Sequence, residues 1–362
     1  MDTALLLASR NVGQLHRVSA LISEGANVNA VDPDGWTALM LACRFGDAET
    51  ARALIRAGAN VNATRDTTGE TVLMLASGSR GGAESVRALI RADADVHVES
   101  HHGQTALMFA SGCRGGEESV RALIREGADI HATDNNGWTA LMFASRYGGD
   151  ERAHRLIMAG ADVNAVSNHG QTALMIASGS HGGVQRVRAL ISAGADVNAT
   201  SHHGQTALMF ASGYGGEIER VRGLIRDGAS SMDDFPHGNT AWMHASGNGD
   251  SESVRALIYY GADVNARHND GSTALMYACR YGDVERVLVL IQAGADVTAQ
   301  HNDGSTALMY ASRYDDLEKV RVLIETGRSA LRTAHSLQIQ EILVLAGAEG
   351  ELKLELAEGE LS

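Results

Sequence analysis

The sequence predicts an all-α repeat solenoid, a stack of antiparallel helix pairs with projecting β-turn or hairpin loops, and three observations predict it. A tetrad Thr-Ala/Val-Leu/Trp-Met recurs nine times at a spacing of 33 or 34 residues, with its methionine at Met40, Met74, Met108, Met142, Met175, Met209, Met243, Met276 and Met309. A polar turn containing glycine, such as Asn168-His169-Gly170, precedes each tetrad. A second apolar pattern follows it and closes on glycine, as Ala153, Leu156 and Ile157 do before Gly160. Self-similarity at this period marks units that cannot bury an apolar face alone and therefore stack on their neighbours.

The elements follow in chain order. Residues 1–30 form a terminal cap repeat, in which Thr3-Ala4-Leu5-Leu6-Leu7-Ala8 supplies a first helix with no turn before it. Nine full repeats occupy 31–328. In the unit Gly137 to Asp162, Thr139 is placed as an N-cap acceptor for the free amides of a short helix carrying Leu141, Met142 and Ala144. Gly148-Gly149 breaks it, and a second helix runs to Gly160, where a left-handed C-terminal residue is expected. Asp162-Val163-Asn164-Ala165 then leads into the next turn. One unit departs from this pattern: after Asp227 it loses the Val-Asn-Ala close, gains Phe235-Pro236, and places Trp242 and His244 at helix positions that are aliphatic or apolar elsewhere. Residues 329–349 form a second cap that has lost its turn, because Gly327 runs almost directly into Ser329. The acidic tail 350–362 is expected to be mobile. About eleven units packed at helix–helix distances predict a single curved stack on the order of 100 Å long.

These residues resemble the ankyrin repeat, whose pattern runs G-x-T-P-L-H-x-A with a G-A-D-V-N-A close. The matches include Gly35-Trp36-Thr37-Ala38-Leu39-Met40 and Gly58-Ala59-Asn60-Val61-Asn62-Ala63, and the resemblance covers residues 2 to about 349. Two departures are systematic: alanine or valine replaces the family's proline, and methionine replaces its histidine. The resemblance implies that this histidine joins neighbouring units by hydrogen bonds, so the methionine column is expected to act as a soft apolar ladder instead. The competing reading is a functional methionine stripe for copper or a flexible partner.

Composition excludes several function classes. The formal net charge is −14, against the basic surface that general nucleic-acid binding requires. Cys43, Cys113 and Cys279 are too few and scattered for a disulfide framework or zinc site, and two of them replace a recurring helical serine. No apolar run reaches 18 residues and no signal peptide is visible, so a cytoplasmic monomer without membrane contact is expected, with secretion as an effector left open. Arginine occurs 28 times and lysine only as Lys319 and Lys353, which fits base composition or avoidance of ubiquitin attachment.

The columns that vary are the candidate sites. Glu84, Glu118, Glu219 and Glu252 precede Arg87, Arg121, Arg222 and Arg255 by three residues, the pattern of a solvated helix face. Turn histidines, including His101, His102, His169, His202, His203, His237, His268 and His301, gather along one edge and could tune an interface with pH. The resemblance implies ligand contacts beside the turn glycine and at the end of the first helix. Those positions carry Trp36, Arg44, Phe45, Trp138, Arg146, Tyr147, Tyr214, Arg280, Tyr281, Arg313 and Tyr314. Trp, Tyr and Arg dominate interface hot spots because they bury large area and still hydrogen-bond. Other repeats instead have glycine-rich loops with one extra residue, as at Gly78-Ser79-Arg80-Gly81-Gly82, and no Lys-Ser/Thr follows to make a phosphate loop. The expected function is a non-catalytic protein-binding scaffold using the concave face and turn tips, with no cofactor or metal. The alternatives are an adaptor recruiting cellular proteins such as ubiquitin machinery, a structural spacer, and an enzyme.

Overall fold

The computed structural model describes residues 1–45, 47–112, 116–180, 183–213, 218–229, 241–314 and 316–333, with side chains described to residue 327. Cys113, Arg114, His181, Tyr214, the run 230–240 that holds Phe235, Pro236 and His237, and everything beyond 333 lie outside the described residues. The chain divides into two compact units, Met1–Asp196 and Val197–Ser362.

The first unit contains α1 (Asp2–Ser9), α2 (Leu15–Ser23), α3 (Ala38–Phe45), α4 (Ala48–Arg56), α5 (Val72–Ser77) and α6 (Ala83–Ile90). It continues with α7 (Ala106–Ser111), α8 (Glu117–Arg125), α9 (Ala140–Tyr147), α10 (Asp150–Met158), α11 (Ala173–Ser178) and α12 (Val184–Ser192). The second holds α13 (Ala207–Gly213), α14 (Ile218–Arg226), α15 (Ala241–Asn248), α16 (Ser251–Tyr259), α17 (Ala274–Tyr281), α18 (Val284–Gln292), α19 (Ala307–Arg313) and α20 (Leu317–Thr333). Within each unit the odd-numbered helices stack on one another and the even-numbered ones do the same, each pair being antiparallel neighbours in one repeat. Among the described residues, strand pairing is limited to isolated bridges such as Val31 to Thr37 and Thr133 to Thr139, which close the turns.

Local chemistry explains each boundary. The threonine hydroxyls of Thr37, Thr71, Thr139, Thr172, Thr206, Thr273 and Thr306 accept the amide three residues on, at 3.2–3.4 Å, so the tetrad caps seven of the odd-numbered helices, while Thr105 before α7 makes no such bond. After short loops α4, α16 and α18 start on Asp47, Asp250 and Asp283, while α10 starts on Gly149 without a side-chain cap. In the glycine-rich loops Gly82, Gly116 and Gly183 take that place without a side-chain cap. Gly160 closes α10 at φ +93°, as the sequence requires. Asp93 takes the equivalent place after α6 at φ +62°, the one described non-glycine residue there with positive φ. At the other end, α20 passes through Gly327 without a break, because no turn residues separate it from Ser329.

The methionine column is sealed over its first eight positions, and Met309 at its end is half-buried. From Met40 to Met276 the eight side chains are exposed to 2% or less, so no stripe is presented to a metal or partner. One sulfur does more than fill space: the Thr71 amide donates to the Met74 sulfur at 3.4 Å, while Thr71 caps the Met74 amide in return. Cys43 and Cys279 are also buried, and burial pushes both thiols up to about 12, which makes them packed rather than reactive groups. Trp242 is only 1% exposed and stands in the leucine column. It is therefore core, and it contributes nothing to a surface that could select a partner.

Two inter-repeat devices complete the fold. The asparagine of the Val-Asn-Ala close bonds the next repeat's backbone twice. The Asn62 amide donates to the Asp93 carbonyl and accepts from the Asp95 amide, and Asn29, Asn164 and Asn265 do likewise with their neighbours. His97 and His131 occupy this place in two repeats, where no such pair of bonds is found among the described residues. We therefore expect His131→Asn to raise stability by about 1 kcal/mol, the net worth of one to two added hydrogen bonds. A higher urea midpoint at unchanged slope checks it.

The second device is a column of cations on the even-numbered helices, Arg152, Arg186, Arg286 and Lys319, reaching back to the loop of the preceding repeat. Arg152 donates to the Gly112 carbonyl and Arg186 to that of Gly148. Arg286 donates to Gly247 at 2.9 Å and Lys319 to Cys279 at 3.4 Å. These carbonyls sit at helix C-termini that have no intrahelical donor, where a cation also meets the negative end of the helix dipole. Outside, the acid–base pairs within helices extend between repeats. Glu84 faces both Arg87 at 2.5 Å and Arg52 at 3.6 Å, and Arg87 reaches Glu118 at 3.5 Å. Being exposed and screened by solvent, such pairs add little to stability.

Candidate functional site

Trp36, Arg44, Phe45, Trp138, Arg146 and Tyr147 lie in the first unit, at the two places the sequence marks, the residue after a turn glycine and the end of an odd-numbered helix. The indole of Trp36 carries the Arg65 guanidinium 4.3 Å above it, and Arg10 lies 5.9 Å from the Phe45 ring. Asp32 accepts the Trp36 amide at 2.8 Å, and Asp134 accepts that of Trp138 at the same distance, so each tryptophan is set by an aspartate turn. Trp138 meets Phe143 edge to face at 5.4 Å. Arg146 lies 5.8 Å from Tyr147. Phe45 is 46% exposed and Tyr147 51%.

The structure brings Arg44 and Tyr147 to opposite parts of one cleft of about 370 Å³, with Gly78, Gln104, Met108, Phe109, Gly112 and Phe143 between them. Sequence reasoning missed Phe109 and Phe143. A signal existed: the residue after each methionine runs Leu41, Leu75, Phe109, Phe143, Ile176, Phe210, His244, Tyr277, Tyr310, and it turns aromatic over part of the array.

In the second unit Arg280, Tyr281 and Tyr314 come together, joined by Tyr277 and Tyr310. Arg280 lies 4.8 Å from the Tyr281 ring and 5.9 Å from that of Tyr310, and Tyr277 packs 6.2 Å from Tyr281. A hydrogen bond to Tyr314 raises the Arg280 pKa, so the cation is held by the phenols around it. Burial and nearby carboxylates, Asp270 for Tyr277 and Asp303 for Tyr310, push these two hydroxyls up. Arg313 stands exposed beside this group. His244, on α15, is pushed down by burial.

The turn tips are laced by backbone as well as side chains. Asn135 donates its amides to the His102 and His101 carbonyls at 3.0 Å, and the Asn168 side chain does the same to Asn135. His169 and His203 are exposed, with their backbone amides on Ser167 and Ser201. The tips at His268 and His301 differ. His268 lies 2.7 Å from Asp270, and His301 of the next tip reaches the other oxygen of Asp270 at 3.5 Å while holding Asp303 at 2.9 Å. Neighbouring tips thus share one carboxylate.

Burial alone would raise the Asp270 pKa, but the Ser272 amide and hydroxyl together with His268 hold it down to about 2. A carboxyl depressed on folding stabilises the native state above its ordinary value of 3.8, and that stability is lost as pH falls through about 2. Asp270 is nearly half exposed, so screening leaves about 1 kcal/mol of this. Asp270→Asn should therefore flatten the acid limb of a stability–pH curve between about pH 4 and pH 2. Equal acid slopes for both proteins would contradict this assignment.

Comparison with known proteins agrees with the geometry. A family model described as ankyrin repeats (3 copies) matches residues 5–100, 79–167, 107–201, 146–234, 180–268, 224–301 and 242–334. Among solved structures, the crystal structure of the human ASB11 ankyrin repeat domain aligns with a TM-score of 0.55 at 24% identity. The alignment covers 62% of this chain and 98% of that one. No curated protein matches the chain.

Proposed function

The chain belongs to the ankyrin-repeat family, whose members are generally protein–protein interaction modules, and from that premise we propose that it is a non-catalytic scaffold holding partner proteins along its odd-helix ends and turn tips. One observation carries this reading. Phe45, Tyr147, Tyr281 and Tyr314 recur at one place in the repeat and stay 46–51% exposed, and Arg10, Arg146 or Arg280 lies beside each. Aromatic–arginine pairs on a preorganised stack bury much area on binding with little ordering cost. Among the described residues most of the recurring threonines cap helices and the recurring helical serines are buried in the packing, which supports the non-catalytic reading.

Affinity capture with the wild type and with a variant bearing serine at Trp36, Arg146, Tyr147, Arg280, Tyr281 and Tyr314 tests the reading. A scaffold loses its partners while its helical melt persists. A structural spacer keeps them. If capture by the wild type is unchanged between about pH 5.5 and pH 8, the turn histidines do not tune the interface.

The adaptor reading has one observation of its own. Lys319, the only lysine among the described residues, is 5% exposed, with Asp316 at 3.0 Å and the Cys279 carbonyl at 3.4 Å. The described surface thus offers no lysine amine to acyl transfer. Amine-reactive labelling of the folded protein that modifies Lys319 would remove that support.

A further inference from the structure

The ends of the odd-numbered helices form a column that reads Arg44, Gly78, Gly112, Arg146 across four successive repeats of the first unit. Two arginines bracket two glycines, and the cleft described above opens where the two side chains are missing. Phe109, Phe143, Tyr147 and Met108 wall it, and Gln104 adds a polar residue. Phe109 and Phe143 are half-buried, with part of each ring open to the surface. A volume of about 370 Å³ admits one large side chain with its adjoining backbone. Arg44 is the single charged residue of the lining. Its guanidinium has no carboxylate partner among the described residues, in a chain whose net charge is −14. An apolar slot beside an uncompensated cation selects for an apolar group with negative charge next to it.

We propose that this cleft binds an extended segment of a partner protein that inserts an aromatic side chain between Phe109 and Phe143 and places an adjacent carboxylate on Arg44. The assignment rests on the scaffold reading and narrows it to one occupant chemistry. Gly112 makes it testable without damage to the fold. Its backbone, φ −73° and ψ −172°, suits any residue, and a Cβ there would meet nothing closer than 3.5 Å. Gly112→Leu therefore places its first carbon at ordinary van der Waals distance and puts a large apolar side chain on a lining residue of the cleft.

The experiment displays a library of random dodecapeptides to the full chain, to Gly112→Leu and to Arg44→Gln. Wild type should enrich peptides with an aromatic residue flanked by Asp or Glu. Individual synthetic hits should bind Gly112→Leu and Arg44→Gln at least about tenfold more weakly, and added salt should weaken the wild type but not Arg44→Gln. Enrichment of basic or charge-free sequences overturns the proposal, as does no enrichment, or equal affinity for wild type and Gly112→Leu. If Gly112→Leu loses its helical melt, Arg44→Gln on the rim carries the same comparison. The broader reading is separable: if cellular capture survives Gly112→Leu but not the six-serine variant, the scaffold stands and this cleft falls. If the cleft results hold while six-serine capture is unchanged, the aromatic–arginine surface is the part that fails.

Discussion

Gly137→Ala is expected to cost about 3 kcal/mol, although it adds a single methyl group to a half-buried turn residue. Two independent effects act there. The residue sits at φ +75°, a conformation that costs an L side chain about 1–2 kcal/mol. The new Cβ would also lie 2.7 Å from the Asn168 side-chain oxygen and 2.8 Å from the Asn168 backbone nitrogen. A side chain can swing away, but the backbone nitrogen cannot, because it is bonded to the Asn136 carbonyl at 2.9 Å. The methyl therefore forces apart the tie between two tips. Gly160 separates the two effects: its φ is +93°, yet a Cβ would meet nothing within 4 Å. Gly160→Ala should cost about 1 kcal/mol, the conformational part alone. Urea denaturation of both variants measures the difference, and equal losses would show that the tips do not press on one another.

Met142→Ala is the second large effect, expected at about 3 kcal/mol within the usual 2–5 kcal/mol for emptying such a site. Met142 is 0% exposed, and its neighbours in α7 and α11 are held in register by their own packed repeats, so little can move in to fill the space. Met142→Leu keeps most of the volume and should cost less than about 1.5 kcal/mol. Near-equal midpoints for Met142→Ala and wild type would mean that the stack closes over the cavity.

The register of the fold was legible because periodicity is a one-dimensional property. Thr139 before Leu141 and Met142 specifies a cap and a buried stripe, and Gly160 specifies a left-handed stop, each through chemistry within a few residues. The candidate site was legible only in part. Trp36, Tyr147, Arg280 and Tyr281 stood out because they interrupt uniform columns. Phe109 and Phe143 hid beside the methionines, and at that spacing a core residue and a groove wall look alike in a sequence. Trp242 also breaks its column, yet it lies inside.

The sequence by itself determined the repeat, its helix boundaries, and which columns are uniform, because caps, turns and apolar spacing act over short stretches of chain. Only the tertiary structure decided what the columns meet across repeats. Glu84 stands between two arginines of different helices, Arg186 reaches the carbonyl of Gly148, His301 shares Asp270 with His268, and Gly78 and Gly112 leave a gap beside Arg44. Each of these depends on the offset and rotation between one helix pair and the next. That geometry is set by close packing of many side chains at once, so no single motif encodes it.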